Sequence, residues 1–356
     1  MKKIVVSSMR RNSGKTSIIA GIVSLMHDKK FAYAKPLGDR LIYRKKRSWD
    51  YDASLMVNLL GRRGELESRC EKITLGFDHS RLKYMYDKEG IERALAEIVT
   101  DIGADNDVLF IESGKDLTAG AYLNLDAVSM TRSIDGVLVI VVSGDDDCVL
   151  DDMRFIEKYV KLEGVHFGGV IINKISDIEE FETSCTPVIR EMGLDVIGAI
   201  PYEEPLTYFP LDFLADKLLA RVLAGEEHLK NIARTILIGT SATFVADKEQ
   251  IPARPELSGT GQLMITGGDR SDLILAALER DTAGIILTND IVPHQNIISR
   301  ANERGIPVLL VGTDTFQTAR TIDDMEPLLR KKDTGKISLL SQLIEKHTNM
   351  AEFLKS

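Results

Sequence analysis

The run SMRRNSGKTS at residues 8–17 follows an apolar stretch, Ile4, Val5 and Val6, and precedes an apolar-periodic segment of Ile18, Ile19, Ile22, Val23, Leu25 and Met26. A strand, a loop closing on Gly14-Lys15-Thr16 and a helix form a context in which phosphate is bound. Successive loop amides and the positive end of the helix hold phosphate oxygens, and a glycine lets the backbone approach them. This reading assigns Asn12, Ser13, Gly14, Lys15, Thr16 and Ser17 to the phosphates of a nucleotide. Lys15 would reach the β- and γ-phosphates, and the Thr16 hydroxyl would ligate Mg²⁺. The pattern is imperfect, because Met9 stands where a glycine is the rule. A plain strand-to-helix turn that happens to contain GKT is the alternative.

A chain of 356 residues suits two domains, each large enough for its own core. The formal net charge of -9 advertises no basic face for nucleic acid. Cys70, Cys148 and Cys185 are odd in number and show no C-x-x-C spacing, so neither a disulfide framework nor a zinc site is expected, and a reducing cytoplasm fits. No signal pattern precedes Ile4, and the longest apolar run, residues 137–142, is too short to span a bilayer. No membrane partner is expected.

Strand and helix signals alternate through the first two hundred residues and predict an α/β fold with a doubly wound, mostly parallel sheet. A short strand at residues 31–34 leads to Lys35-Pro36. The carboxyl ends of strands line the crevice of such a sheet, so Lys35 would stand near the loop, although a solvated strand-end lysine has the same signature. The basic run around Arg40, Arg44, Lys45, Lys46 and Arg47 reads as a solvated loop or helix face. Asp50 and Asp52 open an apolar-periodic stretch, where acidic residues are either helix caps or metal ligands. Residues 107–111 read as a strand that finishes in Glu112, which puts a carboxylate within reach of a phosphate-bound Mg²⁺. The triple acid Asp145-Asp146-Asp147 reads as a loop capping the helix that follows. Later come a strand at residues 168–172 ending in Asn173-Lys174, a helix at 179–192 and a strand at 196–200 ending in Pro201.

The GKT loop, the Lys-Pro strand end, the Asp-Ala helix start, the Glu-Ser-Gly strand end, the Asn-Lys strand end and the Ile-Pro turn together resemble dethiobiotin synthetase. More closely they look like the synthetase-like domain in the N-terminal half of some phosphotransacetylases, which also carries a segment comparable to the Leu-Asn-Leu-Asp of residues 123–126. The resemblance implies ATP and Mg²⁺ as cofactors, with Lys15 and Thr16 at phosphate and metal, Asp52 and Glu112 as the other metal carboxylates, Lys35 beside a small-molecule acceptor, and Asn173 on the adenine edge. The synthetase's glycine-rich turn reads Ser113-Gly114-Lys115-Asp116 here, and Lys115 would crowd the place of the substrate amine. In related dimeric P-loop ATPases a lysine five residues before the Walker lysine reaches across the dimer. Arg10 stands there, a hint of a homodimer.

A helix at residues 209–223 is expected to close the first domain, with the boundary near Ala224, giving domains 1–224 and 225–356. The second domain reads as a smaller α/β unit. Its Thr266 to Asp272 stretch and its Asp-Thr-Phe turn at residues 314–316 resemble the DRTGG domain, which is associated with regulation. Gly267-Gly268 with Arg270 would make a second anion site, while Asp269 is also an apt helix cap. His294 reads as a first-turn residue, and residues 336–355 as an amphipathic helix free to pack on either domain or on a partner. No phosphotransacetylase catalytic domain follows, so that activity is expected to be absent. The expected function is a Mg-ATP-binding regulator or weak ATPase; the alternative is an ATP-dependent ligase that activates a carboxyl or carbamate group.

Overall fold

The computed structural model describes residues 1–44, 47–61, 70–103, 105–239 and 261–354. The chain forms two compact units, one of Met1–Glu203 with Leu328–Ser356 and the other of Glu204–Pro327.

The first unit is built on six parallel strands, β1 (Lys2–Ser8), β2 (Phe31–Ala34), β5 (Val108–Glu112), β6 (Val137–Ser143), β7 (His166–Ile175) and β8 (Val196–Pro201), in the order β2-β5-β1-β6-β7-β8. Helices cover both faces, so the central strands carry apolar residues on both sides and do not alternate. Ile4, Val5, Phe110, Ile111, Ile140 and Val141 are all fully buried. The expected α/β doubly wound sheet is thus the observed one. Its order places the carboxyl ends of β1, β2 and β5 side by side, and the residues just beyond those ends share one crevice.

Between β2 and the next helix the chain makes an antiparallel hairpin, β3 (Leu41–Arg44) with β4 (Arg47–Asp50), where a solvated loop or helix face was expected. Of the basic run, Lys45 and Lys46 lie outside the described residues. The hairpin ends on Asp50, which caps the helix Tyr51–Leu59 by accepting from the Ala53 amide. Asp145 likewise caps the helix Asp146–Tyr159 through the Cys148 amide, so the triple acid serves a helix start as expected.

Two boundaries differ from expectation. The helix anticipated over residues 209–223 resolves into a short strand β9 (Phe209–Pro210), a helix Leu211–Leu218 and a strand β10 (Arg221–Ala224), because Leu219 takes a left-handed conformation (φ 52°) that stops the helix. β9 pairs with β11 (Ile232–Ala233). β10 pairs antiparallel with β15 (Val308–Leu310), so residues 209–224 belong to the second unit, not the first. The C-terminal helix, expected with the second domain, belongs to the first unit as Thr334–His347. Its Leu340 and Ile344 close over Gly21 of the P-loop helix Lys15–Leu25, and Ser341 Oγ donates to the Gly21 carbonyl at 3.2 Å.

The second unit has a sheet of order β10-β15-β14-β13-β12, with β12 Thr235–Gly239, β13 Gln262–Gly267 and β14 Thr282–Thr288, parallel except for β10. Its strands alternate cleanly between two cores. Met264, Ile285, Leu287, Val308 and Leu310 face Ile274, Leu278 and Ile297, while Leu263, Ile265, Ile286 and Leu309 face Leu211, Phe213, Leu214 and Ile322.

Candidate functional site

The loop after β1 turns through two left-handed residues, Asn12 (φ 62°) and Gly14 (φ 97°), before the helix Lys15–Leu25 begins. Gly14 is the position where a side chain would be strained, and an added Cβ would also run into the Asn173 amide. The loop is braced from β7. Asn173 Nδ2 donates to Ser13 O at 2.8 Å, and Lys174 Nζ donates to Asn12 O at 2.8 Å. Ser13 Oγ and Ser8 Oγ both donate to Arg10 O, at 2.9 and 2.8 Å. Ser17 stands half-buried in the first helical turn. Asn173, expected on an adenine edge, therefore uses one amide proton on the loop and keeps its carbonyl oxygen for a further donor.

The Lys15 ammonium is folded back into the site, donating to Ser8 Oγ at 2.9 Å and to Lys115 O at 3.1 Å. Burial pushes its pKa down, with Glu112 opposing. Lys115 meets the site through its carbonyl, while the residue as a whole is exposed. Thr16 Oγ1 donates to Glu112 Oε1 at 3.0 Å, and the other oxygen of Glu112 accepts from Tyr33 Oη at 2.9 Å.

Lys35 follows directly on β2 as expected, but it is no solvated strand-end lysine. Its amide donates to Ile73 O at 3.0 Å, Leu37 bridges to Gly76, and the side chain is 1 % exposed. The ammonium lies 2.5 Å from Asp52 Oδ2, 2.6 Å from Asp39 Oδ1, 3.4 Å from Glu112 Oε1 and 3.6 Å from Asp50 Oδ1. Arg40 completes the frame by donating to Asp52 Oδ2 at 3.0 Å and to Asn12 Oδ1 at 2.6 Å, which ties the P-loop to the helix start of Asp52. Asp50 Oδ2 accepts from the amides of Asp39 and Arg40.

These contacts set the charge states. Burial works against the Lys35 ammonium, but Glu112, Asp52, Asp50 and Asp39 outweigh it and hold its pKa well above the ordinary value. Lys35 is thus a fixed positive charge and not a free amine. Burial pushes Glu112 and Asp50 up, with Lys35 opposing in each case. Burial acts on Asp52 in the same sense, yet Lys35 and Arg40 prevail and hold it down. Tyr33, raised first by burial and then by Glu112, stays a neutral donor.

The residues expected to hold metal, Thr16, Asp52 and Glu112, therefore converge on one place, with Lys35 Nζ between Asp52 and Glu112. Hydroxyl and carboxylate oxygens are the donors that Mg²⁺ takes, and Thr16, which joins them, lies in the first turn of the helix that the loop leads into, so the residues present fit a magnesium nucleotide. Sequence reasoning missed Tyr33, Asp39 and the inward turn of Arg40. The only available signal was proximity in sequence to Lys35, since no motif places them. Arg10, the residue that hinted at a dimer, forks onto Asp152 of its own chain, Nε and Nη2 each at 2.9 Å from a carboxylate oxygen.

In the second unit the helix after Gly267-Gly268 starts without a side-chain cap, so Asp269 does not cap it. Arg270, expected to partner an anion there, forks onto Asp272 at 3.2 and 3.1 Å. His294 caps the helix Gln295–Arg304 by accepting from the Asn296 amide at 3.4 Å. No helix among the described residues is long and apolar enough to cross a membrane.

An open parallel sheet whose central strand delivers a loop closing on a glycine into a helix, with a lysine, a hydroxyl and a strand-end carboxylate gathered there, defines a P-loop NTPase fold. The chain belongs to the AAA domain family, whose model matches residues 2–208, and residues 213–325 match the DRTGG domain. It is similar to the phosphate acetyltransferase of Pseudomonas aeruginosa, 25 % identical over an alignment of 294 residues that covers 74 % of this chain and 40 % of that protein. It is also similar to the phosphate acetyltransferase of a Synechocystis strain, 24 % identical over 94 % of this chain and 48 % of that one. The chain thus spans about half the length, or less, of these relatives. Among solved structures it resembles the MinD cell division protein of Aquifex aeolicus, at 18 % identity over 58 % of this chain and 84 % of that chain, with a TM-score of 0.37. Another likeness is to the CBS and DRTGG domains of the regulatory region of a Clostridium perfringens pyrophosphatase, at 24 % identity over 33 % of this chain and 46 % of that one, with a TM-score of 0.26.

Proposed function

We propose that the first unit binds ATP with Mg²⁺ at the loop of residues 8–17, and that the protein is a nucleotide-dependent regulator or weak ATPase whose DRTGG domain carries the regulatory response. The observation that supports this reading above all is the meeting of Thr16, Glu112, Lys35 and Asp52 beside the left-handed Gly14. Lys15 and Lys35 would stabilise the negative charge of the terminal phosphate, Thr16, Asp52 and Glu112 would hold the ion, and the carbonyl oxygen of Asn173 would accept from a purine amine. The bound ion would supply charge neutralisation between the phosphates. Cys70, Cys148 and Cys185 form no disulfide among the described residues, which accords with a reducing compartment. A homodimer belongs to the same proposal, supported by the position of Arg10 beside the loop. It requires the fork to Asp152 to open, and a solution mass that stays at 39.5 kDa with nucleotide present removes it.

Titration of Mg·ATP into Glu112→Ala is expected to show binding weakened by about tenfold or more, the loss of one charged metal ligand. Unchanged affinity would take Glu112 out of the metal shell. The second reading, a ligase that activates a carboxyl or carbamate, draws on Lys35, whose fixed charge in a buried site exceeds what nucleotide capture requires. ADP release measured with and without diaminopelargonate and bicarbonate separates the two. Stimulation by the pair supports the ligase, and a flat response supports the regulator.

A further inference from the structure

The carboxylates around Lys35 are arranged as ligands for one ion. Asp39, Asp50 and Asp52 bring oxygens within 4.8 Å of one another, a spacing at which a single cation can touch all three. Asp50 has other work, since its two oxygens serve the amides of Ala53, Asp39 and Arg40. Asp39 does not. Its Oδ1 is buried and accepts no hydrogen bond, although the Lys35 ammonium stands 2.6 Å away, and its side chain is 7 % exposed. An ammonium is a point charge whose three protons cannot be directed at four carboxylates at once. A divalent ion takes oxygen ligands from more directions.

We propose that Lys35 is an internal cation standing in the place of a divalent ion: in the free protein it keeps metal out of the Asp39, Asp50, Asp52 and Glu112 cluster. It releases the cluster when its ammonium turns toward phosphate oxygens arriving at the P-loop. The turning rests on the nucleotide reading above; the cation site with Asp39 as a ligand does not. The physical ground is repulsion, because two cations a few ångströms apart in a buried site oppose each other strongly. A chain built this way binds free metal poorly and metal with nucleotide well.

The test is Mn²⁺ binding without nucleotide, followed by the paramagnetic signal of the free ion. The full-length wild type is expected to bind Mn²⁺ weakly, Lys35→Met at least about tenfold more tightly once the like charge is gone, and Lys35→Met with Asp39→Asn no better than wild type. Equal binding by wild type and Lys35→Met overturns the proposal, and so does a gain that Asp39→Asn leaves intact. Lys35→Gln, which keeps a hydrogen-bond donor without the charge, is the second variant. If neither folds at millimolar Mn²⁺, the ion cannot replace the ammonium and the proposal falls. In the wild type a tight Mn²⁺ site is expected only with ATP or ADP present. If wild type takes up no nucleotide while Lys35→Met gains its Mn²⁺ site, the cation site stands and the nucleotide reading fails.

Discussion

Lys35→Ala is expected to lower the unfolding free energy of the first unit by about 3–5 kcal/mol at neutral pH, the cost of breaking a buried ion cluster by removing one side of it. The lysine is 1 % exposed and faces carboxylates that are themselves 0–7 % exposed, so water cannot take over its role. The pH dependence carries a sign that distinguishes this cause from a simple cavity. Without the ammonium, Glu112 and Asp50, already raised by burial, rise further, and Asp52 loses the first of the partners that hold it down. A carboxyl whose folded pKa lies above its unfolded value binds protons preferentially in the native state, so stability is regained as the pH falls through that folded value. The cost of Lys35→Ala should therefore shrink as the pH falls from neutral toward the carboxylate range. In the wild type Asp52 behaves oppositely, since its pKa is lowered. Its contribution is present above the ordinary carboxylate range and is lost as the pH falls through its folded value. Denaturant unfolding of both proteins across this range provides the check. A cost that stays flat or grows on acidification would mean that lost packing, not charge, makes Lys35 necessary.

What was legible in the sequence follows from how local each signal is. The strand-loop-helix at residues 8–17 and Glu112 at the end of β5 are each written within about ten contiguous residues, where apolar periodicity and a glycine suffice. A strand end and a helix start left Lys35 and Asp52 open between a solvated or capping role and a place in the site, and the family resemblance is what pointed to the site. The shape of their cluster was not legible, because Asp39 and Arg40 enter it through the turn into the β3–β4 hairpin, and a basic run has the same composition whether it is solvated or folded inward. Tyr33 reaches Glu112 from the adjacent strand of the sheet, a neighbour fixed by strand order and not by sequence distance. The domain boundary was missed for a related reason. Leu219 is a good helix former and carries no sign of the left-handed stop it makes, so only the pairing of β10 with β15, formed across 84 to 89 residues of chain, decides the matter.

The C-terminal helix illustrates the same lesson with the largest consequence. Its amphipathic pattern left its destination open, yet Ile337, Leu340, Leu343, Ile344, Met350 and Leu354 are all at most 8 % exposed. At about 1.5–3 kcal/mol for each such side chain removed from water, before the cost of ordering is subtracted, the segment contributes on the scale of an entire domain's net stability. It also covers the open edge of the sheet, where Thr348 bridges Gly198 of β8 and the Asn349 amide donates to Ile197 O at 2.9 Å. A chain ending at residue 327 is therefore expected to lose the packed state of its first unit, while Glu204–Pro327 keeps its own two cores. Hydrogen exchange resolves the two. Amides of β1 and of Lys15–Leu25 should exchange as in an unfolded chain, and those of β13 and β14 should stay protected. Because Lys15–Leu25 starts at the P-loop and rests its far face on this helix through Gly21, nucleotide binding should disappear with it. Gly21→Val in the full chain is the milder form, expected to cost about 1–3 kcal/mol by forcing Leu340 and Ile344 away. Native protection of β1 in the shortened chain would show that the six parallel strands and the helices among residues 1–203 hold themselves together, and that the tail is only a cover.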